Sequence, residues 1–152
     1  SKLGKYISEL LKTKYIISTV SNDMIGIEYS SSLKNIYSIM VGIAHGLGYG
    51  DNFLSVLISH CSKEMSDFIK NVHKTNRKIN QSAYLGDLLV TTYSSFSRNR
   101  TFGNMIGKGY SIKSAKAEMN MVVEGYYATK NAFMLSKKLS TKFLIINFCY
   151  KI

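Results

Sequence analysis

The sequence contains no proline, no tryptophan, only two cysteines, and nine acidic residues against 20 lysines and arginines. Without proline there is no Pro-rich linker, and no internal repeat or low-complexity tract divides the chain. A length of 152 residues with 45% hydrophobic content suffices for one real core and not for two full domains. Cys61 and Cys149 lie far apart with no CxxC spacing, which argues against a zinc site and a disulfide framework and fits a reducing, cytoplasmic setting. No stretch approaches the roughly 20 apolar residues of a membrane helix, and Ser1-Lys2-Leu3-Gly4 does not open a secretory signal. The shortage of acids leaves a net charge of +11. That balance favours an anionic partner such as nucleic acid, a phosphorylated metabolite or an acidic membrane surface, or else records a compositional bias with solvated lysines. The chain starts without methionine inside an amphipathic segment, so a fragment of a longer protein is expected.

Helical periodicity dominates what is there. Leu3 to Leu11 fits a helical turn or two, and the β-branched run Lys14 to Val20 predicts a short strand, closed by a turn at Ser21-Asn22-Asp23. From Ile27, apolar residues at Leu33, Ile36, Tyr37, Met40, Ile43, Ala44 and Leu47 give a helix with one buried face, ended by Gly46, Gly48 and Gly50. Asp51-Asn52 are expected to cap the next helix, whose stripe runs through Leu54, Leu57, Ile58, Cys61, Met65, Phe68 and Ile69. His73 to Asn80 is polar, basic and aperiodic, an exposed loop. A short apolar run from Tyr84 to Val90 follows, and Ser94 to Arg100 is again loop-like. Phe102 to Ile106 is helical, Ser111 caps a helix to about Met119, and Gly125 to Leu139 forms another. The tail from Phe143 to Tyr150 is apolar enough to be buried but fits strand or helix. The expectation is an all-α bundle of five or six helices with a small β remnant at its front.

Three features could carry chemistry, and two others are set aside. Lys34 follows three small residues, Ser30 to Ser32; such neighbours leave room for a ligand, and a lysine in a partly desolvated pocket can exchange a proton with an alcohol or carbonyl. The same lysine also fits a snorkelling surface position. Asp87, an acid flanked by apolar residues, is either a helix cap or the partner that orients a catalytic lysine. Ser97-Arg98-Asn99-Arg100 sets two guanidinium groups and an amide just before a helix start, which suits a phosphate, a nucleic-acid contact or a solvated loop. Gly46-Leu47-Gly48-Tyr49-Gly50 ends a helix instead of joining a strand to one, so it is tight helix packing and not a dinucleotide fingerprint. His45, His60 and His73 lack ligand spacing, and no metal is expected.

Three blocks together resemble a known family. They are Asp23 to Glu28 continuing through Leu33-Lys34-Asn35 to Gly42 to Asn52; Leu85 to Thr91 followed by Ser97 to Arg100 and Phe102-Gly103; and Val122 to Gly125. In order and separation they are similar to the C-terminal half of bacterial-type NAD(P)-dependent glycerol-3-phosphate dehydrogenases, from roughly Tyr15 to Leu139. The resemblance implies a helical substrate-binding domain at 23–152, like those of 6-phosphogluconate dehydrogenase relatives and truncated at its C-terminus. Residues 1–22 would be a connection from a missing Rossmann domain. It implies that Lys34 takes the proton when glycerol 3-phosphate is oxidised and returns it when dihydroxyacetone phosphate is reduced, in support of glycerophospholipid synthesis. Lys34, Asp87, Ser97, Arg98 and Asn99 would contact substrate, with Thr91 nearby, and Asp87 would orient Lys34. Arg98, Val122 and Glu124 would reach a cofactor, NAD or NADP, held mostly by the Rossmann domain. Ser30 to Ser32 stand where the family has glycine or alanine, His60 where it has arginine, and Gln81 to Tyr84 in place of a glycine-rich approach to the aspartate.

The partners so implied are glycerol 3-phosphate, dihydroxyacetone phosphate and the Rossmann domain, with a homodimer possible and neither nucleic acid nor stable membrane insertion involved. Two other classes compete with this reading. One is a non-catalytic basic helical module that binds nucleic acid, motivated by the charge; the other is a degenerate remnant that serves only in interaction.

Overall fold

A computed structural model describes residues 2–139 and 141–152. Among them are eight α-helices: α1 (Lys2–Leu11), α2 (Met24–Gly46), α3 (Asp51–Val72), α4 (Asp87–Tyr93), α5 (Arg98–Gly107), α6 (Ile112–Glu118), α7 (Glu124–Ser136) and α8 (Leu144–Lys151). A π-helical turn, Ser82–Gly86, runs directly into α4. No helix here is long and apolar enough to cross a membrane.

The central element is α2, which packs against α3, α4, α5, α7 and α8. Its periodicity predicts one buried face, yet Ile39 and Val41 are buried as well as Leu33, Ile36 and Tyr37. A helix enclosed on most sides needs apolar residues around most of its circumference. Two clusters result. The larger joins α2 to the predicted stripe of α3, to Leu88 of α4, and to Phe143 and Ile146 at the start of α8. The smaller gathers Ile39, Ile43, Phe102, Ala115 and Val123.

Helices α2 and α5 approach until their backbones touch. A Cβ on Gly103 would stand 2.1 Å from the Ile39 carbonyl oxygen, and one on Gly42 would stand 2.2 Å from that of Arg100. Only glycine fits such a seam. Gly46 belongs to it too, against the Asn104 carbonyl, so its role extends beyond ending α2. The reversal after α2 rests on Gly48, whose φ of +88° is a left-handed conformation.

Several local expectations are corrected. Lys14 to Val20 is not a strand: it bends at Lys14-Tyr15, where the Thr13 N–H reaches the Ile16 carbonyl, no strand exists among the described residues to pair with it, and Tyr15 and Ile17 stand exposed. Asp51 lies inside α3 and not at its cap, which is Gly50; there the carboxylate complements the helix dipole. Ser94 to Arg100 is only partly loop, because α5 already begins at Arg98 under the Ser97 cap. The tail is helical, and its first turn is capped from α3. Glu64 accepts the N–H groups of Ile145 and Ile146 at 2.9 and 3.0 Å, although burial pushes its carboxyl above the usual range. The helix after Ser111 forms as predicted, with the serine hydroxyl accepting the Ser114 N–H.

The basic loop conceals a buried pair. Arg77 folds back onto Asp23, the N-cap of α2, through two hydrogen bonds, and the Tyr84 hydroxyl donates to the same carboxylate at 2.5 Å. Only 6% of the Arg77 side chain and 15% of that of Asp23 remain exposed. The guanidinium and these other donors hold the Asp23 carboxyl down at about 2.

Two outcomes are expected. Gly103→Ala forces the α2–α5 seam apart and lowers stability by about 3 kcal/mol, as an overpacked core does, measurable by urea denaturation. Asp23→Asn destabilises the fold at neutral pH. Because the folded carboxyl titrates near 2 against an ordinary 3.8, the stabilisation is complete above that ordinary value. It is lost as pH falls towards 2, so the wild-type and variant melting curves converge across that window.

Candidate functional site

Four helices converge where α2, α4, α5 and α7 meet. Lys34 projects from the middle of α2, and its Nζ lies 2.7 Å from Oδ1 of Asp87, the first residue of α4. The side chains keep 22% and 36% of their surface exposed, so the pair is neither buried nor free in solvent. Thr91, one turn along α4, donates its hydroxyl to the Asp87 carbonyl at 2.7 Å. Of the three serines before Lys34, only Ser31 borders the open space beside it. Ser30 is buried and donates to the Ala83 carbonyl at 3.0 Å, which ties α2 to the π-turn.

The N-terminus of α5 forms the opposite wall. Ser97 caps it by accepting the Arg100 N–H, and the same hydroxyl lies 3.0 Å from that of Ser38 on α2. Arg98 extends along the rim, 3.3 Å from the Glu124 carboxylate and in contact with the Met121 sulfur. Arg100 turns away, donating to the Tyr93 carbonyl. Asn99 is 6% exposed and fully engaged: its amide nitrogen donates to Asn35 Oδ1 at 3.0 Å, and its oxygen accepts the Gly125 N–H at 2.9 Å.

The result is an open cleft of about 510 Å³ bordered by Lys34, Thr91, Ser97, Arg98 and Glu124. Five positions singled out from the sequence thus share one space, with Asp87 directly behind Lys34. Asn99 lies beneath the wall instead of on it, and Val122 is exposed just outside, before α7. The cleft offers an ammonium, a guanidinium and the Ser97-capped start of a helix, with one carboxylate beside each cation. At its rim, Val122, Glu124 and Arg98 leave apolar, acidic and basic surface open.

Asn35 and Ser38 were not singled out as site residues. Asn35 donates to Glu124 at 3.4 Å while accepting from Asn99, and so joins three helices at one side chain. The signal was present: Ser31, Lys34 and Ser38 follow the three- and four-residue spacing of one helix face, which makes polar neighbours of Lys34 identifiable.

Residues 23–152 match the sequence model of the family described as NAD-dependent glycerol-3-phosphate dehydrogenase C-terminus. The glycerol-3-phosphate dehydrogenase (NAD(P)+) of Staphylococcus haemolyticus is 36% identical over 99% of this chain, which covers 46% of that protein. The Staphylococcus aureus protein of the same name is 35% identical, with 99% of this chain and 45% of that protein covered. The chain therefore spans slightly under half the length of the curated relatives it matches. Among solved structures, glycerol-3-phosphate dehydrogenase from Coxiella burnetii superimposes with a TM-score of 0.90 at 30% identity, covering 99% of this chain and 46% of that one. The Saccharomyces cerevisiae glycerol-3-phosphate dehydrogenase shares the fold, with a TM-score of 0.85 at 21% identity over 97% of this chain and 43% of that one.

Asn99→Leu leaves the Gly125 N–H and the Asn35 amide without their partner. It is expected to cost about 2 kcal/mol of stability, read from chemical denaturation, while the larger core between α2 and α3 keeps its packing.

Proposed function

Because the chain belongs to the NAD-dependent glycerol-3-phosphate dehydrogenase family, whose C-terminal domain it matches, we propose that it forms the substrate-binding and proton-transferring half of such an enzyme. The reaction is the interconversion of glycerol 3-phosphate and dihydroxyacetone phosphate. The observation that carries this reading is the Lys34–Asp87 contact, 2.7 Å long and partly exposed, facing the N-terminus of α5 across one cleft.

When bound, NAD or NADP supplies or takes the hydride at the substrate's middle carbon. The chain's own residues manage everything else at that carbon. In reduction, Lys34 gives a proton to the carbonyl oxygen as it becomes an alcohol; in oxidation, neutral Lys34 removes that proton. Asp87 keeps Nζ in place between turnovers. Arg98 and the start of α5, with Ser97 and Thr91 beside them, hold the phosphate, so binding energy from the unreactive end positions the carbonyl against Lys34. Asn99 fixes the direction of α5 from beneath. Glu124, Val122 and Arg98 meet the cofactor at the rim.

A nucleotide-binding domain completes the cleft in this reading, with residues 1–22 leading from it and the helical domain occupying 23–152. The surface of α1 supports that arrangement. Leu3, Ile7 and Leu10 recur at helical spacing and are all exposed, and α1 buries none of its own residues. An apolar stripe of this kind calls for a covering partner. A reducing, cytoplasmic location also belongs to the proposal, consistent with free thiols at Cys61 and Cys149.

The test is dihydroxyacetone phosphate-driven oxidation of NADH and NADPH by the longest natural product containing this chain. Lys34→Ala should lower kcat by about 10²- to 10⁴-fold with an unchanged circular dichroism spectrum. Arg98→Ala should act mainly by raising KM. Full activity in the Lys34 variant would remove the lysine from proton transfer, and no activity in a folded wild type would remove the enzymatic reading.

A further inference from the structure

The rim of the Lys34 cleft holds a contact that the proposed chemistry leaves unused. Arg98, the first residue of α5, reaches across to the start of α7. There its Nη2 lies 3.3 Å from Oε1 of Glu124, and its Nη1 donates to the sulfur of Met121 at 3.4 Å. Met121 is 61% exposed. Of the seven methionines only Met24, Met121 and Met134 stand largely open to solvent, and among the described residues Met121 is the one whose sulfur has a cation at hydrogen-bond distance.

A thioether is a weak acceptor, so this contact holds the guanidinium loosely and leaves it available to an anion. The same exposure opens the sulfur to a small oxidant such as hydrogen peroxide. A sulfur lone pair attacks one peroxide oxygen and the O–O bond breaks. The second oxygen departs and, with the proton from the first, becomes water; the sulfur gives up two electrons and the peroxide gains them. The new sulfoxide oxygen is a strong acceptor placed beside Nη1, and its hydrogen bond with a guanidinium is charge-assisted. With Glu124 already at Nη2, both terminal nitrogens of Arg98 are then engaged on the α7 side. A phosphate must break one of those contacts before it binds.

We propose that Met121 is a reversible oxidation site whose sulfoxide withdraws Arg98 from the anion-binding wall of the cleft. The proposal rests on the reading that Arg98 holds the substrate's phosphate, and its test separates the two.

The natural full-length protein is treated with hydrogen peroxide, and the oxygen gained at Met121 is followed by peptide mass spectrometry. KM and kcat for dihydroxyacetone phosphate, and calorimetric affinity for inorganic phosphate, are read before and after. Oxidation should raise KM and weaken phosphate binding, each about tenfold, with kcat within about twofold. Methionine sulfoxide reductase with dithiothreitol should restore both, and dithiothreitol alone should not, which separates the sulfoxide from oxidised thiols. Met121→Leu keeps an apolar side chain and should lose the response, whereas Met24→Leu combined with Met134→Leu should keep it. The inference fails alone if Met121 gains no oxygen, if it gains one while KM and phosphate affinity stay unchanged, or if peroxide shifts the Met121→Leu protein as far as the wild type. If Arg98→Ala leaves both quantities unchanged in the reduced protein, the phosphate-holding reading fails and takes this inference with it.

Discussion

Everything in this fold depends on the contact between the backbones of α2 and α5. Gly42 and Gly46 on one helix, and Gly103 and Gly107 on the other, remove the side chains that would keep the axes apart. Residues 39 and 103 face each other, as do 43 and 107, so the helices run in the same direction along the seam. The N-terminus of α5 is thereby carried alongside Asn35, next to Lys34, and Ser38, one turn past it. A cleft with a lysine on one side and a helix start on the other follows from that registration. Close approach also uses backbone contact where another protein would use side-chain volume, and this explains why the second apolar cluster is small.

Helical periodicity made α2 and α3 legible because it reports that a face is buried, and both helices bury most of what their patterns predict; Leu47, past the end of α2, is exposed, and Met40 and Leu57 are half-buried. It does not report against what. Gly46 was legible as the end of a helix, while its contact with Asn104 depends on an element more than fifty residues away. Lys14 to Val20 has strand composition, but composition cannot supply the neighbouring strand on which a ladder depends. Asn99 looked like a surface ligand residue in a polar loop. Its burial follows from α5 beginning under the Ser97 cap, which turns the amide inward toward Gly125. The grouping of Lys34, Asp87, Ser97 and Arg98 was legible from the order of the motif blocks, since their convergence needs only the family's fold.

Charge shows the same division between count and placement. An excess of +11 suggests a broadly anionic partner, yet the cations at the cleft are paired: Lys34 with Asp87 and Arg98 with Glu124. The informative quantity is the scarcity of acids. Of nine, Asp23 holds Arg77 and Tyr84, Glu64 caps α8, Glu124 borders the cleft and Asp87 stands behind its lysine. In so basic a chain a carboxylate meets competing cations everywhere, so one fixed at 2.7 Å on a half-shielded lysine marks a position that the surrounding helices determine.

The π-turn explains how Asp87 reaches that position. In it the Asp87 N–H bonds back to the Ser82 carbonyl, one residue further than in an α-helix. The extra residue per turn rotates the start of α4 relative to the chain entering it, and so decides which way Asp87 points. Such a turn leaves backbone groups imperfectly matched and needs support from outside. Ser30 supplies it at the Ala83 carbonyl, and Asp23 supplies it through the Tyr84 hydroxyl. Both supports come from the first two turns of α2 or its cap. The helix that carries the lysine therefore also aims the lysine's partner. A shift of α2 moves the two together, and their contact is preserved while their distance to α5 is set separately by the glycine seam.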